Sequence, residues 1–137
     1  MQGPIPSPYY RVAVKGLIFN DENKVLMARA ADGRWEIPGG GWEHDETIEE
    51  CFAREIQEEL GVHVVDMSQL EFIFRGVNLE KGRYVLRLMV RATLDSHNFM
   101  PGDGIVAAKF VDAEELKMLP FVPGDANIVD YIDKIWV

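Results

Sequence analysis

The stretch Gly40-Gly41-Trp42-Glu43-His44-Asp45-Glu46-Thr47-Ile48-Glu49-Glu50-Cys51-Phe52-Ala53-Arg54-Glu55-Ile56-Gln57-Glu58-Glu59-Leu60-Gly61-Val62 holds most of the interpretable chemistry of the chain. Pro38 and the three glycines Gly39, Gly40 and Gly41 are expected to interrupt regular structure. Proline lacks a donor and restricts its predecessor, and glycine permits positive φ and close backbone approach. Thr47 with Glu50 three residues on reads as a capping box. A helix is therefore predicted from about Ile48 to Leu60, with Gly61 as its C′ residue. Ile48, Phe52, Ile56 and Leu60 recur at every fourth position and form the stripe that faces the core.

The acids of this helix are the anomaly. At about 100° per residue, Glu55 and Glu59 flank the azimuth of Ile48 by about 20° on either side, and Glu58 lies about 60° from Glu55. Three carboxylates thus share one sector bordering the buried stripe. Like charges at i, i+4 destabilise a helix, and anions near its C-terminus oppose the dipole. A solvated acidic face is the ordinary explanation of such a pair. A divalent cation is the alternative, because it converts repulsion into shared coordination. Oxygen ligands suit Mg²⁺ or Mn²⁺, whereas a zinc site would need His or Cys.

The spacing runs Gly40, five residues, Glu46, seven residues, Arg54-Glu55-Ile56, one residue, Glu58-Glu59, one residue, Gly61-Val62. It resembles the Nudix box, the signature of hydrolases acting on nucleoside diphosphates linked to another group. All nine specified positions match, and average composition makes a chance match on the order of one in ten million. Trp35 before Pro-Gly-Gly is also similar to the family. The resemblance implies an α/β (α+β) fold, the Nudix α/β/α sandwich with a mixed sheet between helices. It implies that Glu58 and Glu59 are the principal metal ligands and that Glu55 is a further ligand or the base. Arg54 would orient Glu55, Glu46 would orient residues at the mouth of the helix, and the Gly39 and Gly40 carbonyls would add a hard oxygen. Some family members supply a further acid just before the strand that here is Ala107–Val111. Asp103 is the nearest acid to that place.

The chain has 137 residues, 47% of them hydrophobic and 27% charged, and a formal net charge of −9. This is a single globular domain by size, with residues 1–8 expected as a loose proline-containing arm. No apolar run reaches the length of a membrane span, and no signal peptide is evident. Cys51 is the only cysteine, so no internal disulfide can form, which is consistent with a cytoplasmic location. The acidity excludes a duplex nucleic-acid groove binder. The expected partners are a small nucleotide-type substrate and, at most, a second copy in a homodimer.

Strands are expected at Tyr10–Phe19 and Lys24–Arg29, as a hairpin around Asn20–Asn23, and at Val62–Val65, Leu70–Phe74, Tyr84–Ala92 and Ala107–Val111. Asp112 with Glu115 reads as a second capping box. Ile128, Tyr131, Ile132 and Ile135 place a last helix over about Ala126–Ile135. Arg29 and Arg34 before the box, Glu43 and His44 in its loop, and Asp103 after it are candidates to meet the substrate. Arg75, Arg87 and Arg91 could meet phosphate, although strand arginines usually pair or face solvent. Of Trp42, Phe72, Phe74, Tyr84 and Phe121, one or two are expected to line the pocket and the rest to be core. Cys51 reads as a buried small hydrophobe; His63 and His97 lack ligand spacing.

The resulting expectation is a Mg²⁺-dependent hydrolase of a diphosphate linkage, with a nucleoside triphosphate or modified nucleotide favoured by size. The proline that ADP-ribose hydrolases of the family often carry is replaced by Val77 and Asn78. Three rivals make different demands. A Nudix-fold sensor would bind a nucleotide without cleaving it. An isomerase would need Cys51 in the pocket. An acidic interaction domain would gain no stability from metal.

Overall fold

In the computed structural model, which describes residues 9–136, the elements run as follows. Strands β1 (Tyr10–Leu17), β2 (Val25–Ala30), β3 (Trp35–Glu36) and β4 (Gly39–Gly41) lead to helix α1 (Ile48–Leu60). Strands β5 (Val64–Met67), β6 (Phe72–Asn78), β7 (Arg83–Leu94) and β8 (Ile105–Val111) follow. The chain closes with α2 (Ala113–Met118), a 3₁₀ segment (Ala126–Tyr131) and the single turn α3 (Ile132–Ile135). The arm expected at residues 1–8 lies outside the described residues.

Strand β7 is the spine. Strand β1 runs parallel along one edge of it, from Tyr10 opposite Tyr84 to Leu17 opposite Arg91. The other edge is shared by β6 and, further along, β5, both antiparallel. Strand β4 extends the sheet beyond β1, and β3-β2-β8 form a second, antiparallel sheet. The expected mixed sheet with helices is present, divided into two sheets.

Helix α1 has the predicted bounds for the predicted reasons. Thr47 Oγ1 accepts from the Glu50 amide at 3.0 Å, and Glu50 Oε1 accepts from the Thr47 amide at 2.9 Å. Gly61 takes φ 68° and its amide donates to Gln57 O at 3.1 Å. Phe52, Ile56 and Leu60 are fully buried against Val14, Ile18 and Val90. The helix comes this close because Gly16 has no side chain where the Phe52 ring lies.

Several expectations need correction. The glycine run is not irregular: Gly39–Gly41 pairs antiparallel with β1, with Gly40 opposite Val14. The edge of β1 needs partners for its polar backbone groups, and only residues without Cβ fit so near Val14 and Lys15, with Gly39 at φ 127°. The hairpin is confined to a Phe19–Val25 bridge. Beyond it β1 is occupied by β4 and β7, so β2 leaves for the second sheet. Strand β5 starts two residues later than expected, and β6, β7 and β8 are longer than expected. Asp112 caps α2 through the Glu115 amide at 2.8 Å, but the Glu115 carboxylate pairs with Lys109 and does not close the box. The last helix begins as a 3₁₀ segment, since Asp125 at its N-cap makes no side-chain capping bond.

Asp125 is engaged elsewhere. It is completely buried, accepts from Arg87 Nε at 2.9 Å and from the Ile37 amide at 3.0 Å, and lies 3.7 Å from Lys15 Nζ. Lys15 Nζ in turn donates to the carbonyls of Ile37 at 2.9 Å and Gly39 at 3.3 Å. Burial pulls the Lys15 ammonium down, but Asp125, Glu36 and Glu59 outweigh it and leave it raised. Removing one partner of a buried ion network leaves the others uncompensated, at a cost of about 3–5 kcal/mol. Asp125→Ala should therefore lower the unfolding free energy by about that amount in urea titrations. A loss of under about 1 kcal/mol would show that the network contributes no more than a surface pair.

Candidate active site

The site forms where the glycine strand β4 crosses the C-terminal half of α1. Gly40 lies directly against the Glu55 carboxylate, so any Cβ there would collide with it. Arg54 then fixes the mouth of the cleft. Its Nη2 and Nε donate to Glu46 at 2.8 and 3.1 Å, its Nη1 to Glu55 at 2.9 Å and Glu58 at 3.4 Å, and its Nη2 also to Gly41 O at 3.2 Å. One guanidinium thus ties the end of the box loop, the glycine strand and two of the helix acids together. The Arg54 guanidinium, with the Glu43 amide, holds Glu46 down to about 2. Burial pushes Glu55 up despite Arg54.

Carboxylate oxygens of Glu55, Glu58 and Asp103 lie within 4.8 Å of one another. Asp103 takes a left-handed φ of 51° in the loop before β8. That loop is docked on the end of α1 by the Gly102 amide, which donates to Glu59 O at 3.0 Å, and by the Met100 amide, which donates to Leu60 O at 2.8 Å. These three hard-oxygen donors from helix and loop fit a divalent cation of the magnesium or manganese type. Glu59 stands apart from the trio. It is buried, 5% exposed, and its Oε1 accepts from the Gly39 amide at 3.0 Å.

The other candidates fall in different places. Gly39 O faces the Lys15 ammonium, and Gly40 O lies 3.7 Å from Cys51 Sγ. Arg34 lines the cleft but is held by Asp32 and Glu80. Arg29 is not brought to the cleft, because its guanidinium lies over the Trp35 ring, 5.9 Å from its centroid. Glu43 and His44 line a separate hollow with Trp42 and Asp45. The aromatic expectation fails as well: among the described residues no aromatic side chain lines the cleft. Phe74 is core, Phe72 stacks on Tyr131, and Phe121 packs at the second core. Arg75 donates to the Tyr10 hydroxyl, and Arg91 pairs with Glu71. Burial pushes the Cys51 thiol up to about 12, and it points to the carbonyls of Gly40 and Gly41. It is a packing residue, as expected, and offers an isomerase no acid.

The cleft, about 360 Å³, also holds Arg87, expected as a phosphate candidate, and three residues that motif reading missed, Arg11, Lys15 and Arg83. A signal for two of them was available. With period two, Arg11, Ala13 and Lys15 share one face of β1, so two cations interrupt what should be an apolar inner face. Arg87 shares its face of β7 with Val85 and Met89, both buried.

Burial pushes the Glu59 carboxyl up, against the opposing pull of Lys15 and the Gly39 amide. The folded chain then binds a proton more tightly than the unfolded chain, whose glutamate has an ordinary value of 4.5. Stability must fall as the pH rises above that value. In metal-free buffer, the stability of Glu59→Gln relative to the native chain should rise from about pH 5 to about pH 8, as read from urea midpoints. A gap that stayed flat would mean that Glu59 is charged at no cost.

Comparison with known proteins bears on the family and the fold. The NUDIX domain family matches residues 9–132. A MutT-like protein of Streptomyces ambofaciens is 39% identical over 69 residues, which span 50% of this chain but 44% of that protein. An ADP-ribose pyrophosphatase of Methanocaldococcus jannaschii is 30% identical over 114 residues, 80% of this chain and 66% of that one. The crystal structure of a MutT protein from Methanosarcina mazei Go1 superposes with a TM-score of 0.79, at 20% identity and 96% coverage of both chains. With the family match spanning nearly all of the described residues, this chain belongs to the Nudix hydrolase family.

Proposed function

We propose that the protein is a divalent-metal-dependent hydrolase, using Mg²⁺ or Mn²⁺, that cleaves the diphosphate linkage of a nucleoside diphosphate joined to another group. The observation that carries this reading is the convergence of Glu55, Glu58 and Asp103 beside a cleft that is also lined by Arg11, Lys15, Arg83 and Arg87. An anionic substrate on a chain of net charge −9 needs local positive charge. When bound, the ion supplies neutralisation of the phosphoryl oxygens and polarisation of an attacking water.

The chain's own residues do the rest. Glu55, Glu58 and Asp103 would hold the ion, and Glu59 is the further acid at the cleft floor. Arg54 holds Glu55 and Glu58 in place, and Glu46 holds Arg54. The lining carboxylates, Glu55 and Glu59, are positioned to take the proton of the water. The new P–O bond to water forms as the bridging P–O bond breaks, and the departing phosphate leaves towards the cations of the cleft. The names of the relatives span MutT-like and ADP-ribose-cleaving proteins. Within that range, a nucleoside triphosphate or modified nucleotide is the favoured class.

The test is a product assay with Mg²⁺ over nucleoside triphosphates, oxidised nucleotides, ADP-ribose, nucleotide sugars and dinucleoside polyphosphates. Glu58→Gln should lower turnover of the preferred compound at least about a hundredfold, and Arg54→Gln by about ten- to a hundredfold, since supporting residues of metal sites typically matter by that much. Circular dichroism should show both variants folded. Near-native turnover by Glu58→Gln at saturating Mg²⁺ would remove Glu58 from the ligand set. Metal-dependent binding of one compound, with no turnover across the panel, would replace the hydrolase by a sensor.

A further inference from the structure

The cations of the cleft fall into two groups. Lys15 and Arg87 are compensated by Glu36 and Asp125, and Arg34 by Asp32 and Glu80. Arg11, Arg83 and the exposed Lys81 have no ion pair among the described residues, and of these only the two arginines carry a guanidinium fork. The Nε of Arg83 is buried and has no hydrogen-bond partner among them. Leaving a buried charged donor without an acceptor costs stability, and a guanidinium fork matches phosphate oxygens.

Their placement defines what they can reach. Arg11 pairs with Val85 across the parallel β1–β7 ladder, so Arg83 lies two residues earlier on the same face of the neighbouring strand. The Arg11 guanidinium rests against Gly41, where any Cβ would overlap it. Its neighbour Gly40 rests against the Glu55 carboxylate. The unpaired fork and the acidic site are therefore one strand residue apart, on opposite margins of the same glycine ribbon.

We propose that Arg11 and Arg83 grip a phosphate beyond the two of the scissile linkage. The preferred substrate class is then a nucleoside tri- or polyphosphate, in preference to a nucleoside diphosphate sugar. This rests on the hydrolase reading above and adds a specificity to it. The ion at the acids neutralises the linkage being cut; two further cations meet their charge only if the substrate carries a further anion. A neutral sugar ring could offer the Arg83 Nε–H a hydroxyl oxygen, but no charge to match the two guanidinium groups.

The test has two arms. In the first, arginine Nε–H resonances of the full ¹⁵N-labelled chain are followed in Mg²⁺ while inorganic triphosphate or inorganic diphosphate is added. The Arg83 signal, identified by its loss in Arg83→Lys, should shift and saturate at a triphosphate concentration at least about tenfold lower than for diphosphate. In the second, Arg11→Lys and Arg83→Lys keep the charge but lose the fork. Each should raise KM for a nucleoside triphosphate about tenfold while changing kcat by less than about threefold. The ratio of kcat/KM for triphosphate over nucleotide sugar should drop about tenfold. An unmoved Arg83 resonance, equal response to the two probes, or equal losses on both substrates would overturn the proposal. If the native chain turns over no compound, the hydrolase reading fails, and the resonance arm still decides whether the fork takes a third phosphate.

Discussion

Asp125 places a carboxylate where no solvent reaches, and much of the cleft is positioned by what that carboxylate must hold. A buried anion persists only if it is paired and hydrogen-bonded. Asp125 meets this by drawing Arg87 from β7, the Ile37 amide from the connection between β3 and β4, and the Lys15 ammonium from β1. Lys15 extends the constraint to the carbonyls of Ile37 and Gly39. Gly39 then presents its amide to Glu59 on α1. A chain of charge-assisted bonds thus runs from the C-terminal segment through both sheets to the box helix. It sets the height of the glycine strand above the acids.

The acids themselves work against the helix that carries them. Glu58 and Glu59 stand near the C-terminus of α1, the unfavourable end of the dipole for anions, and the last turn has no basic residue. Arg54 offsets part of this by bridging Glu55 and Glu58, but its strongest engagement is with Glu46, outside the helix. The guanidinium is therefore shared between anchoring and compensation. What stabilises α1 lies on its other face: the capping box, the left-handed Gly61 and the fully buried Phe52, Ile56 and Leu60. The helix is held by one side so that the other can keep a charge density it would not tolerate alone.

How much was legible in the sequence follows from the range of each interaction. The bounds of α1 were legible because Thr47, Glu50 and Gly61 act within a turn of where they stand. The cluster was partly legible: the helical azimuth brings Glu55 and Glu58 together, and Asp103 was the nearest acid to where the resemblance looked for one. Spacing on the helix did not separate Glu59 from the trio, since its burial depends on how low β4 passes over it. The strand at Gly39–Gly41 was misread because three glycines argue for irregular backbone locally, whereas pairing with β1 is decided by the vacancy at that strand's edge. The hairpin between β1 and β2 was legible at its turn, Asn20–Asn23, but stays short for the same reason. Arg87 was one of several strand arginines that could meet phosphate and Arg83 was not singled out, because a basic residue on a strand acquires meaning only from what lies across the sheet.

The charge pattern gives the cleft its direction. With a net charge of −9 the surface as a whole repels a phosphorylated ligand. Yet the cleft is lined both by the inner-face arginines and lysine of β1 and β7 and by acids of α1. A phosphate chain can lie between them only if it faces the arginines with its free oxygens and meets the acids through a cation. On the proposed hydrolase reading, that orientation would put the linkage nearest Glu55 in the reacting position and leave the more remote phosphate to Arg11 and Arg83. Reversing it would set bare phosphate oxygens against carboxylates and a cation against guanidinium groups, two repulsions in place of two attractions. The same asymmetry that costs α1 local stability would therefore fix the direction in which the proposed substrate lies.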